Sequence, residues 1–171
     1  MITEVQFLDV FSAKALRPAP DLAVISMLGA QEETHRPLFA GFDETRLLRL
    51  RFDDVVYVLS REHLLNGPTM DHARQIHGFI SALHQSARQV RLVAHCFGGV
   101  SRSAAVALHA GQLADIVPVQ VQDKPHAAFA ANERLLGMLR AAAKGADYED
   151  DAWLDFGHPD SFIGAQRADG I

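Results

Sequence analysis

Cysteine is almost absent from this chain, since Cys96 is the only one among 171 residues. A single cysteine excludes a disulfide within the chain and any zinc site built on several cysteines. Its thiol is therefore either inert packing or a reactive group. An excess of positive charge is also missing, because the formal net charge is −5. That balance argues against a protein that neutralises many phosphates along a nucleic acid, but it allows a site for one phosphate.

Long apolar runs are lacking as well. No segment approaches the length of a membrane span, and the first residues carry an acid, Glu4, where a signal peptide would need basic residues. We therefore expect a cytoplasmic protein without a membrane partner.

What the sequence does contain is enough apolar surface for a core. Apolar residues make up 49% of the chain, which suits one compact domain of this length. We place that domain at residues 1–146 and expect an acidic tail at residues 147–171. Three aromatic residues of the tail could dock it onto the domain, namely Trp153, Phe156 and Phe162.

Segments with strand and helix patterns alternate along the chain. Apolar runs of strand length lie at residues 5–11, 22–28, 47–52 and 90–94. Helices are predicted at residues 103–115, at about 132–144 and after Thr69, where one apolar face comprises Ala73, Ile76, Ile80, Leu83 and Ala87. The alternation predicts an α/β fold in which a mostly parallel central sheet is flanked by helices.

The only cysteine lies in the segment His-Cys-Phe-Gly-Gly-Val-Ser-Arg-Ser, residues 95–103. The predicted strand before it and the predicted helix after it make this segment a strand-to-helix turn. Such a turn directs several backbone N–H groups and the positive end of a helix at one point, which suits an anion. Gly98 and Gly99 let the backbone curl closely around that anion.

The segment matches the His-Cys-x-x-Gly-x-x-Arg-Ser/Thr motif, and on it the chain resembles the cysteine-dependent protein tyrosine phosphatases. The cysteine lies in the middle of the chain, so the resemblance is to the dual-specificity phosphatase branch. It implies a dual-specificity phosphatase-like fold and hydrolysis of phosphomonoesters through a phosphocysteine intermediate, without metal or cofactor. The substrate partner would be a phosphorylated protein, most typically at tyrosine, or a small phosphomonoester, and not a nucleic acid.

The resemblance also assigns roles to the residues of the motif. Cys96 would attack phosphorus, and Ser103 would stabilise the sulfur when it leaves. Arg102 would offer two parallel donors to phosphate oxygens, which lysine cannot do. His95 would shape the loop from behind as a supporting residue. The phosphate would be bound by Phe97, Gly98, Gly99, Val100, Ser101 and Arg102.

A general acid is needed to protonate the leaving oxygen. Asp53 and Asp54 follow the predicted strand at residues 47–52, and this segment resembles the Phe-x-Asp arrangement of some small bacterial members of the family, which favours Asp54. The alternative is that both are turn aspartates bonded to their own backbone. Asp71 is a third candidate, although an acid is favoured in the first turn of a helix in any case.

Asn132 resembles the asparagine that braces the phosphate loop in dual-specificity phosphatases, although Ala131 stands where that family has proline. The alternative is that Asn132 only caps the last helix.

Two other functions remain open at this point. A catalytically slow module that binds phosphate without much turnover would have the same loop, and a rhodanese-like sulfur carrier also has a cysteine loop after a strand. The spacing of Gly99, Arg102 and Ser103 fits the sulfur carrier less well.

Overall fold

Five parallel strands form a single sheet in the computed structural model, which describes residues 1–32, 39–57, 63, 66–121 and 130–148. The strand order is β3-β2-β4-β1-β5, so β4 lies at the centre. The strands are β1 Ile2–Leu8, β2 Leu22–Leu28, β3 Leu47–Arg51, β4 Val90–His95 and β5 Val119–Gln120. The α/β prediction is confirmed. Because all five strands are parallel, the loops after their carboxyl ends meet along one edge of the sheet.

Helices cover both faces of the sheet. The described residues form α1 Val10–Ala13, α2 Met70–Gln85, α3 Arg102–Ala114 and α4 Glu133–Ala143, with a 3₁₀ turn at Glu44–Arg46. The three longer helices contribute to the main apolar core on one face, whereas α1 and the segment around Phe39 and Phe42 cover a smaller apolar cluster on the other. None of the helices in the described part of the chain is both long enough and apolar enough to cross a membrane.

The best-predicted elements are those with the strongest patterns. All seven residues of β2 are buried, as expected for an interior strand. The buried face of α2 comprises Ala73, Ile76, Ile80 and Leu83, and Thr69 caps its first turn. Ala87 was predicted to continue this face, but it lies beyond the end of the helix and is exposed.

Other boundaries differ from the prediction for local reasons. The first strand is Ile2–Leu8 rather than residues 5–11, because the Asp9 carboxylate accepts the backbone N–H of Ser12 at 2.8 Å and starts α1. Strand β5 was not predicted, since two residues are too short for a recognisable pattern.

The tail begins within the described residues. Tyr148 is partly buried against the main core, where its ring lies so close to Gly137 of α4 that a Cβ there would come within 2.5 Å of it. Trp153, Phe156 and Phe162, predicted to dock the tail, lie outside the described residues.

A pair of histidines lies between α2 and α3. Nδ1 of His77 and Nε2 of His109 are 3.1 Å apart and share a hydrogen bond, and the rings meet edge to face. Burial lowers the pKa of His109 to about 4, with further contributions from His77 and Arg140. His109 is therefore neutral at physiological pH.

This histidine pair predicts acid sensitivity of the fold. The pKa of His109 is lower in the folded chain than the 6.5 of a free histidine, so the unfolded state binds the extra proton first. Stability is fully present above about pH 6.5 and is lost as the pH falls towards 4. In urea unfolding, we expect His109→Gln to reduce the loss between pH 7.5 and 5.0 by on the order of 2 kcal/mol. An unchanged loss would contradict this assignment.

Candidate active site

The sulfur of Cys96 lies directly after the central strand β4, and the residue is 1% exposed. The backbone N–H of Gly99 points at Sγ at 3.3 Å, and Oγ of Ser103 lies 3.3 Å from the same sulfur. Helix α3 begins at Arg102, so its N-terminal end adjoins the turn. We call residues 96–102 the cysteine loop. Its N–H donors and the positive end of α3 stabilise negative charge at this point.

Gly99 is the tightest point of the cysteine loop. Its φ of +69° is favourable for glycine, and a Cβ here would lie 2.4 Å from the backbone N of Asp9. Phe97 O accepts a hydrogen bond from the N–H of Val10 at 3.2 Å, and Gly99 O accepts one from the side chain of Gln120 at 3.3 Å. The ends of β1 and β5 therefore support the loop from one side.

The remaining loop side chains face different environments. Phe97 is 43% exposed, and its ring meets that of Phe11 edge to face at 6.3 Å. Val100 is partly buried against the main core, and a Cβ at Gly98 would meet no atom of the described residues within 4 Å. These three residues therefore add no polar side-chain atom to the cysteine loop.

The side chain of Arg102 is buried and held on two sides. Its Nη1 donates to Phe52 O at 2.8 Å, and its Nη2 donates to both carboxylate oxygens of Glu32, at 2.8 and 2.9 Å. Nε is buried and has no hydrogen-bond partner among the residues that the structure describes. Oδ2 of Asp54 lies 3.9 Å from this Nε. Within the described part of the chain, Nε is therefore a donor without an acceptor.

The two candidate acids have separate positions. Oδ1 of Asp54 accepts hydrogen bonds from Ser101 Oγ and from Asn132 Nδ2, both at 2.7 Å. Asp53 instead uses Oδ1 to accept the N–H of Ala30 at 3.1 Å, in the turn after β2. Asp54 thus contacts the cysteine loop, while Asp53 supports a neighbouring turn. Asp71 pairs with Arg74 in the first turn of α2 and is 83% exposed.

Asn132 forms hydrogen bonds both to α4 and to the cysteine loop. Its Oδ1 accepts the N–H of Leu135 at 2.8 Å, which caps α4. Its own N–H donates to Ser101 O at 3.1 Å, and its Nδ2 donates to Asp54 and, at 3.2 Å, to Val55 O. Through its backbone and its side chain, the fully buried Asn132 therefore connects α4, the cysteine loop and the Asp54 segment.

His95 lies beneath the loop, fully buried at the end of β4. Its Nε2 is 2.8 Å from Oγ of Ser26, and its ring packs on that of Phe39 at 5.3 Å. Burial lowers the pKa of His95 to about 4. His95 is therefore neutral at physiological pH and adds no full charge to the site.

Two groups at the site were not singled out from the sequence, the Glu32 carboxylate and the Phe52 carbonyl. A backbone carbonyl has no sequence signal. Glu32 lies in a polar segment without periodicity, and its partner Arg102 is 70 residues away. Only the neighbourhood of β2 and β4 in the sheet brings the two together.

No protein-family model matches this chain, and neither does any curated protein.

The two glycines of the cysteine loop provide a matched test of this geometry. Gly99→Ala forces a Cβ against Asp9 at a positive φ, and we expect it to reduce the unfolding free energy by about 2–4 kcal/mol. Gly98→Ala places the same methyl group more than 4 Å from every atom of the described residues and should stay within about 0.5 kcal/mol of wild type. Urea unfolding followed by circular dichroism measures both. Equal effects would contradict the close approach of Gly99 to Asp9.

Proposed function

We propose that this protein is a cysteine-dependent phosphatase of the protein tyrosine phosphatase type, which hydrolyses phosphomonoesters through a phosphocysteine intermediate. The observation that carries the proposal is the set of groups around one buried sulfur. The Cys96 thiol has N–H and O–H neighbours, and a free guanidinium donor of Arg102 lies 3.9 Å from a carboxylate oxygen of Asp54. Nucleophile, anion site and candidate proton donor thus lie on one edge of the sheet.

The first step needs a nucleophile and an acid on opposite sides of phosphorus. The sulfur of Cys96 attacks as the thiolate, the S–P bond forms, and the P–O bond of the ester breaks. Oδ2 of Asp54, in its protonated form, gives its proton to the leaving oxygen. Oδ1 is held by Ser101 and Asn132, so the other oxygen is the one directed to this task.

The second step releases phosphate. Water attacks the phosphorus of the phosphocysteine, the carboxylate of Asp54 accepts a proton from that water, and the S–P bond breaks. The Ser103 hydroxyl, 3.3 Å from the sulfur, donates a hydrogen bond to the departing thiolate. Throughout both steps, Nε of Arg102 and the loop N–H groups bind the phosphoryl oxygens.

The nucleophile is tested with p-nitrophenyl phosphate and a phosphotyrosine peptide. Cys96→Ser should lower kcat by about a thousandfold or more, because the alcohol is a far weaker nucleophile at neutral pH. Calorimetry should still detect binding of the peptide to this variant. Full activity of Cys96→Ser would overturn the mechanism. Binding without turnover by the wild-type protein would instead favour a slow phosphate-binding module.

The acid is tested by comparing two adjacent residues. Asp54→Asn keeps an oxygen that can accept from Ser101 and Asn132 but removes the proton donor, so kcat for an alkyl phosphate should fall by about a hundredfold or more. The loss for p-nitrophenyl phosphate should be smaller, since this leaving group needs less protonation. Asp53→Asn is the matched control and should stay within about threefold of wild type. The reverse order of effects would make Asp53 the acid.

A further inference from the structure

Arg102, the cation at the proposed anion site, already has an anionic partner within the protein. Nη2 of Arg102 contacts both oxygens of Glu32, and the arginine side chain is only 3% exposed. The Glu32 side chain is 28% exposed, so solvent reaches Glu32 more readily than it reaches the arginine. A phosphoryl group that enters the loop therefore meets a carboxylate on the arginine that must bind it.

Glu32 is held by its own turn, residues 29–32. Its Oε2 accepts the N–H of Gly29 at 2.6 Å, which fixes the carboxylate from the backbone side. Arg51, at the end of β3, donates to the carbonyls of Gly29 and Glu32 at 2.9 and 3.0 Å. Asp53 adds a bond to the N–H of Ala30. The Glu32 carboxylate is thus built into a supported turn and differs from a mobile surface group.

Arg102 also has contacts that do not involve Glu32. Its Nη1 donates to Phe52 O, and its backbone forms the first residue of α3. The position of the guanidinium thus depends on several contacts. What Glu32 alone contributes is a negative charge next to Nη2. Arginine binds phosphate best through two parallel donors. Next to the free Nε, the second donor is Nη2, which Glu32 occupies.

We propose that Glu32 is a built-in competitor of the phosphoryl group for Nη2 of Arg102, and so sets the affinity of the site for phosphate esters and for inorganic phosphate. This rests on the anion site of the proposed function. In the empty site, Glu32 compensates a buried cation that would otherwise be costly. In the occupied site, the same charge repels a phosphoryl dianion. The net effect is weak binding of inorganic phosphate, which helps the product to leave.

Glu32→Gln removes the charge and keeps an amide oxygen that can accept from Arg102. With the 171-residue chain, we expect the inhibition constant of inorganic phosphate against p-nitrophenyl phosphate to fall by about threefold to tenfold, with a parallel fall in KM. Thermal unfolding without phosphate should occur at a lower temperature than in wild type. Added phosphate should raise the midpoint more in the variant, because tighter binding stabilises more.

Two controls separate charge from other effects. Glu44→Gln removes a carboxylate that pairs with Arg49 at 2.6 Å on the surface, and it should leave phosphate binding unchanged. Glu32→Asp keeps the negative charge in the turn, so its inhibition constant should stay closer to wild type than that of Glu32→Gln. An effect of Glu32→Asp as large as that of Glu32→Gln would overturn the role of charge.

An unchanged or raised inhibition constant in Glu32→Gln would overturn the proposal, since Glu32 would then orient Arg102 rather than compete for it. Calorimetry with inorganic phosphate separates this result from failure of the proposed function. If the wild-type protein binds phosphate without hydrolysing esters, the comparison of Glu32→Gln with wild type by binding alone still decides the role of Glu32. If phosphate does not bind to either protein, the anion site and the proposal both fail.

Discussion

The buried guanidinium of Arg102 is the constraint on which the site depends. A cation with a side chain only 3% exposed needs partners that replace water, because an uncompensated buried charge costs several kcal/mol. Its partners come from two other segments, the Phe52 carbonyl after β3 and the Glu32 carboxylate after β2. Satisfying this one side chain therefore fixes the relative positions of three loops. The parallel sheet makes this possible because all three loops follow carboxyl ends of neighbouring strands.

The second constraint is the narrow path of the cysteine loop beside β1. Gly99 passes so close to Asp9 that no side chain fits, and Val10 and Gln120 bond to carbonyls of the same loop. On the opposite side, Asn132 connects the loop to α4 and to Asp54. The loop backbone is thus held from both sides before any ligand binds. Preformed N–H donors of this kind need little reorganisation when an anion enters.

The sequence predicts the parts of this structure that depend on local patterns. The interior strand β2, the cap and face of α2, and the strand-to-helix turn around Cys96 follow from apolar periodicity, capping residues and glycine. The sequence does not predict contacts that depend on the order of the strands in the sheet. Asp53 and Asp54 are adjacent in sequence, but their side chains contact different elements. Asp53 bonds to the turn after β2, and Asp54 bonds to the cysteine loop. The Phe-x-Asp arrangement favours Asp54, but no local pattern shows that Asp53 contacts the turn after β2 instead. Strand β5 is too short, at two residues, for a recognisable pattern, and Glu32 pairs with a residue 70 positions away.

The charge of the site depends on which ionisable groups are neutral and which already have partners within the protein. His95 is neutral at physiological pH, since burial lowers its pKa to about 4, and Arg51 is bound to two carbonyls of the turn at residues 29–32. Among the described residues at the cysteine loop, positive charge then comes from Arg102 and from the N–H donors at the start of α3. Negative charge comes from Glu32 and Asp54. Under the proposed function, an anion at this site would be held mainly by fixed backbone dipoles and one arginine donor. The carboxylates of Glu32 and Asp54 near the Arg102 guanidinium would, when ionised, oppose the accumulation of further negative charge there.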